Sequence, residues 1–127
     1  MRTLARKIAF QVIFADLFEN TNYETILNEI ITEEKLTEKS IEFVKQILDA
    51  YKQNKTEILS EIEGKVEGYE LGRVYKVDLA LIYLAITEIK YISTPKPVVI
   101  NEVLELAKIF SAEKSVSFIN GILAKLN

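Results

Sequence analysis

The chain contains no cysteine and no histidine. Without cysteine there is no disulfide framework, no thiolate nucleophile and no cysteine-based zinc site. Without histidine there is no imidazole ligand or imidazole general base. Tryptophan is also missing, and there are only two prolines and four glycines in 127 residues. The glycines fall at Gly64, Gly68, Gly72 and Gly121, so no glycine-rich phosphate loop is present. Long apolar runs are scarce too. The longest strongly apolar stretch, Leu79 to Ile86, is eight residues, whereas a membrane-spanning helix needs about 20. The basic start at Arg2, Arg6 and Lys7 is not followed by a clean apolar segment with a small-residue cleavage site. A cytoplasmic, non-enzymatic protein with no membrane association, cofactor or metal is the expectation.

Hydrophobic residues make up 49% of the chain and charged residues 28%, with a net charge of −3. These values exclude disorder and fit one globular domain over residues 1–127. The charge is unevenly spread: residues 1–18 sum to +2, residues 19–70 to −7 and residues 71–127 to +2. An acidic middle thus separates two basic ends, which can form one patch if the termini lie close together.

Helical periodicity dominates. It predicts helices over 2–19, 23–33, 37–54, 55–66, 75–92, 97–110 and 113–126, about seven in an all-α fold. Thr21 with Glu24 fits a capping box, Thr37 can cap the third helix, and Ser111 can open the last. The glycines at 64, 68 and 72 suggest a joint between halves 1–66 and 73–127, each a small helical bundle. The 75–92 helix is apolar almost all round, as expected at the centre of a bundle. Gly121 inside the last helix predicts close approach of a neighbouring helix. Asn101 and Asn120, beside core positions, are expected to have defined hydrogen bonds.

Few constellations suit catalysis. A Ser–Lys dyad from Lys114 with Ser115 or Ser117 has nothing to desolvate the lysine. Glu57, Glu61, Glu63 and Glu67 lack the histidine partners of a carboxylate metal site and read as a solvated face. The first helix is more informative: Arg6, Phe10, Phe14 and Phe18 recur every four residues as one stripe, opposite Leu4, Ile8, Val12 and Ala15. The phenylalanines can pack on the second bundle, or Phe14 can reach a partner while Arg2, Arg6 and Lys7 reach phosphates. In the last helix, Phe118 lies one turn from Lys114. An aromatic and a cation on one face suit unpaired RNA, where rings stack on bases and cations hold phosphates.

The run Ile100-Asn-Glu-Val-Leu-Glu-Leu-Ala-Lys108, followed by Phe118-Ile-Asn-Gly-Ile-Leu123, resembles the NusB family pattern INEAVELAK and FVNGVL. Val77-Asp-Leu-Ala-Leu-Ile-Tyr-Leu-Ala-Ile-Thr-Glu-Ile89 is similar to that family's VDRAILRLALYEL helix, and Ala5 to Phe14 looks like its arginine-rich start. The resemblance implies a NusB-like fold and a transcription antitermination factor. Such a factor pairs with NusE, a small-subunit ribosomal protein, on single-stranded boxA RNA. With other Nus factors and RNA polymerase it suppresses termination, notably in ribosomal RNA operons. It implies RNA contacts from Arg2, Arg6, Lys7, Lys114, Ser117 and Phe118, and partner contacts from Phe14 and Asp78. Lys114 replaces a commonly acidic residue, Ser117 an often basic one, and Leu79 the arginine that usually follows the aspartate. Arg6→Ala is expected to weaken RNA binding with little change in melting temperature. The alternatives are a homodimeric interaction scaffold and an RNA-methyltransferase-associated module.

Overall fold

The computed structural model describes residues 2–18, 22–66 and 71–126. Six α-helices make up its regular structure: α1 (Arg2–Asp16), α2 (Tyr23–Glu34), α3 (Glu38–Lys65), α4 (Lys76–Thr87), α5 (Lys96–Phe110) and α6 (Glu113–Ala124). A short 3₁₀ turn at Leu71–Arg73 precedes α4, and a π-helical turn at Glu88–Ile92 follows it. The described residues form no strand.

The two helices expected over 37–54 and 55–66 are one helix of 28 residues, about 42 Å long at 1.5 Å per residue. The polar run around Asn54 suggests a break, yet the Asn54 side-chain amide donates to the Ala50 carbonyl at 2.9 Å and is satisfied without leaving the helix. No glycine or proline occurs before Gly64 to end it. Thr37 caps its start, its hydroxyl accepting from the Ser40 amide at 3.2 Å. Asn22 caps α2 by accepting from the Thr25 amide. The expected capping residue Thr21 lies outside the described residues, as do Gly68 and the middle of the expected glycine joint. Ala112 rather than Ser111 precedes α6, and Ser111 instead closes α5.

Helix α4 is the axis of the molecule. Every residue from Asp78 to Thr87 is buried, and the helix packs against α1, α3, α5 and α6. A helix contacted on all sides needs apolar residues on all sides, which is why this segment lacks a polar face. Ile8, Val12 and Ile13 of α1, Ile47, Ile58 and Ile62 of α3, and Ile119 and Leu123 of α6 join it in a continuous apolar core. Tyr51 and Tyr83 meet edge to face, with ring centroids 5.4 Å apart. Burial pushes the Tyr83 phenol up to about 12, helped by the negative charges of Glu63 and Asp16.

The helix expected to run unbroken to residue 92 changes character at Glu88. The wider turn closes at Ser93, which adopts a left-handed conformation with φ 64°, and the Thr94 amide donates back to the Glu88 carbonyl. Gly121 also differs from expectation: no described residue lies within 4 Å of where its Cβ would be. Asn101 and Asn120 are exposed rather than tied into the core. None of the described helices is long and apolar enough to cross a membrane.

Candidate nucleic-acid and partner interfaces

The candidate residues of α1 separate by the side of the helix they occupy. Arg6 points inward and is 4% exposed. Its guanidinium grips the fully buried Glu88 carboxylate in a two-pronged pair, with Nε to Oε2 at 2.8 Å and Nη2 to Oε1 at 2.7 Å. Thr94 donates to the same carboxylate at 3.0 Å, and Glu102 stands 3.7 Å from Arg6 Nη1. The hydrogen bond to Glu88 raises the Arg6 pKa, opposed by burial and supported by the charges of Glu88 and Glu102. The expectation that Arg6 reaches RNA phosphates is therefore corrected: its donors are committed to carboxylates. Arg2 is exposed, and its guanidinium lies 4.2 Å from the centre of the Phe43 ring. Lys7 is partly exposed.

The aromatic stripe divides in the same way. Phe10 is buried between Phe14, at 6.3 Å, and Phe110 of α5, at 5.3 Å. Phe14 is half-buried and meets Phe18 edge to face at 5.1 Å. Phe18 is 48% exposed and Ile109 72%. The outward end of this row is thus an apolar surface built by α1 and α5 together. Phe110 fits the core-facing side of an amphipathic helix, but its contact with α1 and the exposure of Ile109 were not read from the sequence.

Asp78 is 4% exposed. The hydroxyls of Ser111 and Ser115 both donate to it, the latter at 2.8 Å. Its carboxylate fastens the α5–α6 corner to the first turn of α4, where a negative charge is also favoured by the helix dipole. The expectation that Asp78 presents its charge to a partner is corrected for this reason. Of the two serines that a Ser–Lys dyad could use, Ser115 is buried in the same cluster, whereas Ser117 is exposed, as is Lys114. Among the described residues there is no cluster of acidic groups able to hold a metal ion. Glu61 is paired with Lys65 at 3.5 Å and Lys90 at 2.5 Å.

Lys114 and Phe118 stand one turn apart on α6 and line two open cavities. One, of about 280 Å³, reaches Tyr75, Asp78 and Arg73. The other, of about 450 Å³, reaches Lys65 and Lys125. The basic groups from the two chain ends do not form one compact patch. Helix α4 sets Asp78 against α6 and Glu88 against Arg6, and those residues are about 15 Å apart along the helix axis. A ligand touching both ends must be extended.

Comparison with known proteins agrees with this architecture. The NusB family model matches residues 3–127. Transcription antitermination protein NusB of Clostridium botulinum (strain Kyoto / Type A2) is 36% identical over 140 residues, covering 98% of each chain. NusB of Finegoldia magna is 37% identical, covering 98% of this chain and 92% of its own. The solved structure of T. maritima NusB superposes with a TM-score of 0.91 at 30% identity, over 98% of this chain and 89% of that one. A solved complex of antitermination factors NusB and NusE with dsRNA shares the fold, with a TM-score of 0.88 at 24% identity over 97% of this chain and 92% of that one. The all-helical fold, the C-terminal motifs and the full-length matches agree that this chain belongs to the NusB family of transcription antitermination proteins.

Proposed function

We propose that this chain pairs with NusE and that the pair holds single-stranded boxA-type RNA, suppressing termination, notably in ribosomal RNA operons, together with other Nus factors and RNA polymerase. The observation that carries the RNA half is the pair of exposed Lys114 and half-buried Phe118 on α6, which borders open cavities on both sides. Lys114 supplies charge for phosphates, Phe118 an aromatic surface and Ser117 a hydroxyl beside them. Arg2 and Lys7, at the other end of α4, extend the electrostatic footprint so that a strand of several nucleotides is engaged. Arg6 serves this surface indirectly, by fixing the α1 backbone that carries Arg2 and Lys7.

The NusE half is supported by the apolar row at Phe14, Phe18 and Phe110. Exposed aromatic and aliphatic side chains in one patch are the usual core of a protein interface. In this reading Phe14 touches the partner, and Asp78 holds the α5–α6 corner behind the contact. A NusB–NusE assembly is known with double-stranded RNA. The preference proposed here is for unpaired bases, because a phenylalanine ring stacks only on a base released from a duplex.

The test is binding of a boxA-type RNA by fluorescence anisotropy, with and without NusE, at two salt concentrations. NusE is expected to strengthen binding, and salt to weaken it. Lys114→Glu is expected to lower RNA affinity with unchanged melting temperature. Phe14→Ala is expected to weaken NusE docking by about 2 kcal/mol, roughly thirtyfold. Wild-type protein that binds neither RNA nor NusE would overturn the proposal. Sedimentation of the isolated chain, with and without RNA, tests the homodimer alternative, which would use the same surface as RNA.

A further inference from the structure

Gly121 lies on the outward side of α6, and a side chain there would enter open space. No described residue comes within 4 Å of that position, so its low helix propensity is not offset by packing among the described residues. It lies instead in the groove between α6 and the C-terminal end of α3. Lys114, Phe118, Gly121 and Lys125 follow one another at intervals of four, three and four residues and form a single stripe. From Lys114 to Lys125 the stripe rises about 16 Å. The charges at its ends are available. Neither Lys114 nor Lys125 has an ion-pair partner among the described residues, and the Lys125 ammonium rests on the Lys65 carbonyl at 3.3 Å. Lys65 is different, because Glu61 offsets it.

We propose that this groove is a second RNA subsite, in which the strand leaving Lys114 runs along α6 with its sugar–phosphate backbone against Gly121 and a further phosphate at Lys125. The inference rests on the RNA-binding reading above and extends it by several nucleotides. Two cations at the ends of one stripe fit a polyanion of matching length. The bare glycine between them fits close approach of a bulky backbone, which a point ion does not need. A protein helix is a poorer occupant, since Ile119, Ile122 and Leu123 of α6 are turned into the core and leave Phe118 as the large apolar group on the stripe.

The experiment compares a short boxA-type RNA with versions lengthened at each end in turn, each bound to the NusE-loaded protein. Wild type is expected to bind one lengthened RNA more tightly than the short one. Gly121→Ala is expected to raise the melting temperature, as alanine favours the helix and meets no clash, yet to bind the lengthened RNA about fivefold more weakly. Its affinity for the short RNA is expected to stay near wild type. Lys125→Gln is expected to reduce the slope of log affinity against log salt by about 0.7, the share of one single-strand phosphate. If wild type binds the short RNA but gains nothing from added nucleotides, or if both variants match wild type on the lengthened RNA, the subsite is overturned while the RNA-binding reading stands. Weaker NusE docking by Gly121→Ala in the absence of RNA would assign the groove to protein and also overturn it. If wild type binds no RNA even with NusE, the parent reading fails and takes the subsite with it.

Discussion

Replacing Arg6 by alanine tests the interior of the molecule rather than its surface. The guanidinium is 4% exposed and the Glu88 carboxylate fully buried. The substitution leaves Glu88 with the Thr94 hydroxyl at 3.0 Å as its remaining side-chain donor. Breaking a buried pair by removing one member costs about 3–5 kcal/mol, because the stranded charge has lost its compensation. The 127 residues correspond to an unfolding entropy of about 0.27 kcal/mol/K at roughly 2.1 cal/mol/K per residue. The expected fall in melting temperature is therefore about 11–19 °C. Differential scanning calorimetry on wild type and Arg6→Ala measures it. A double variant, Arg6→Met with Glu88→Met, removes both charges and keeps apolar volume, and is expected to recover most of the loss. Arg6→Lys is expected to recover little, since an ammonium cannot reproduce the two-pronged contact. A fall of less than about 3 °C for Arg6→Ala would refute the reasoning, because it would mean Glu88 finds water or another donor with ease.

Three further outcomes follow from other buried polar groups. Tyr51 donates to Asp16 at 2.6 Å, and Lys55 reaches the same oxygen at 3.0 Å. Tyr51→Phe is expected to lower stability by about 1 kcal/mol in urea titrations, an effect that Asp16→Asn reproduces in part. Asp78→Ala removes the acceptor shared by Ser111 and Ser115. It is expected to cost about 2–3 kcal/mol and to increase amide hydrogen exchange first at the α5–α6 corner, whereas uniform exchange would count against the corner's dependence on Asp78. The folded-state pKa of Tyr83, pushed up to about 12, lies above that of an unfolded tyrosine. Folding therefore favours the neutral phenol, so its contribution is complete below about pH 10 and is lost as the pH rises towards 12. The Tyr51 phenol is raised as well, by burial first and then by its hydrogen bond to Asp16. Urea midpoints are expected to hold up to about pH 10 and then fall, less steeply in Tyr83→Phe.

The parts of this architecture that repeat along one helix were legible in the sequence. The all-round apolarity of 77–89 indicated a central helix, and α4 is buried on every side. Thr37 indicated a helix start through a contact only three residues away. What was not legible depends on which way one side chain turns, or on a partner far along the chain. Arg6 and Lys7 are adjacent and alike in charge, but the helix turns one inward and leaves the other partly exposed. The partner that decides this, Glu88, is 82 residues away. Its one sequence signal was a carboxylate in an otherwise apolar helix, where an ion must be paired to be tolerated. Asp78 carried a similar signal, and its two serines are 33 and 37 residues distant. The false break after residue 54 came from polarity alone, and a polar side chain bonded to its own helix does not interrupt that helix. The α6 stripe was recognised at Lys114 and Phe118 but not at its far end, because Lys125 acquires meaning only beside Lys65.

The π-helical turn at Glu88–Ile92 has a consequence for how this chain tolerates change in length. Such a turn holds one residue more than the α-helical turn it replaces. Deleting one residue there converts the wide turn into an ordinary α-helical one, which makes the same rotation with one residue fewer, so the side chains after it keep their direction. Inserting a residue instead turns everything after it by about 100° and swings Thr94 and the start of α5 away from Glu88. Deletion and insertion are thus unequal in this short region: the chain can shorten by one residue and keep its C-terminal third aligned with the rest of the molecule, whereas lengthening forfeits that alignment.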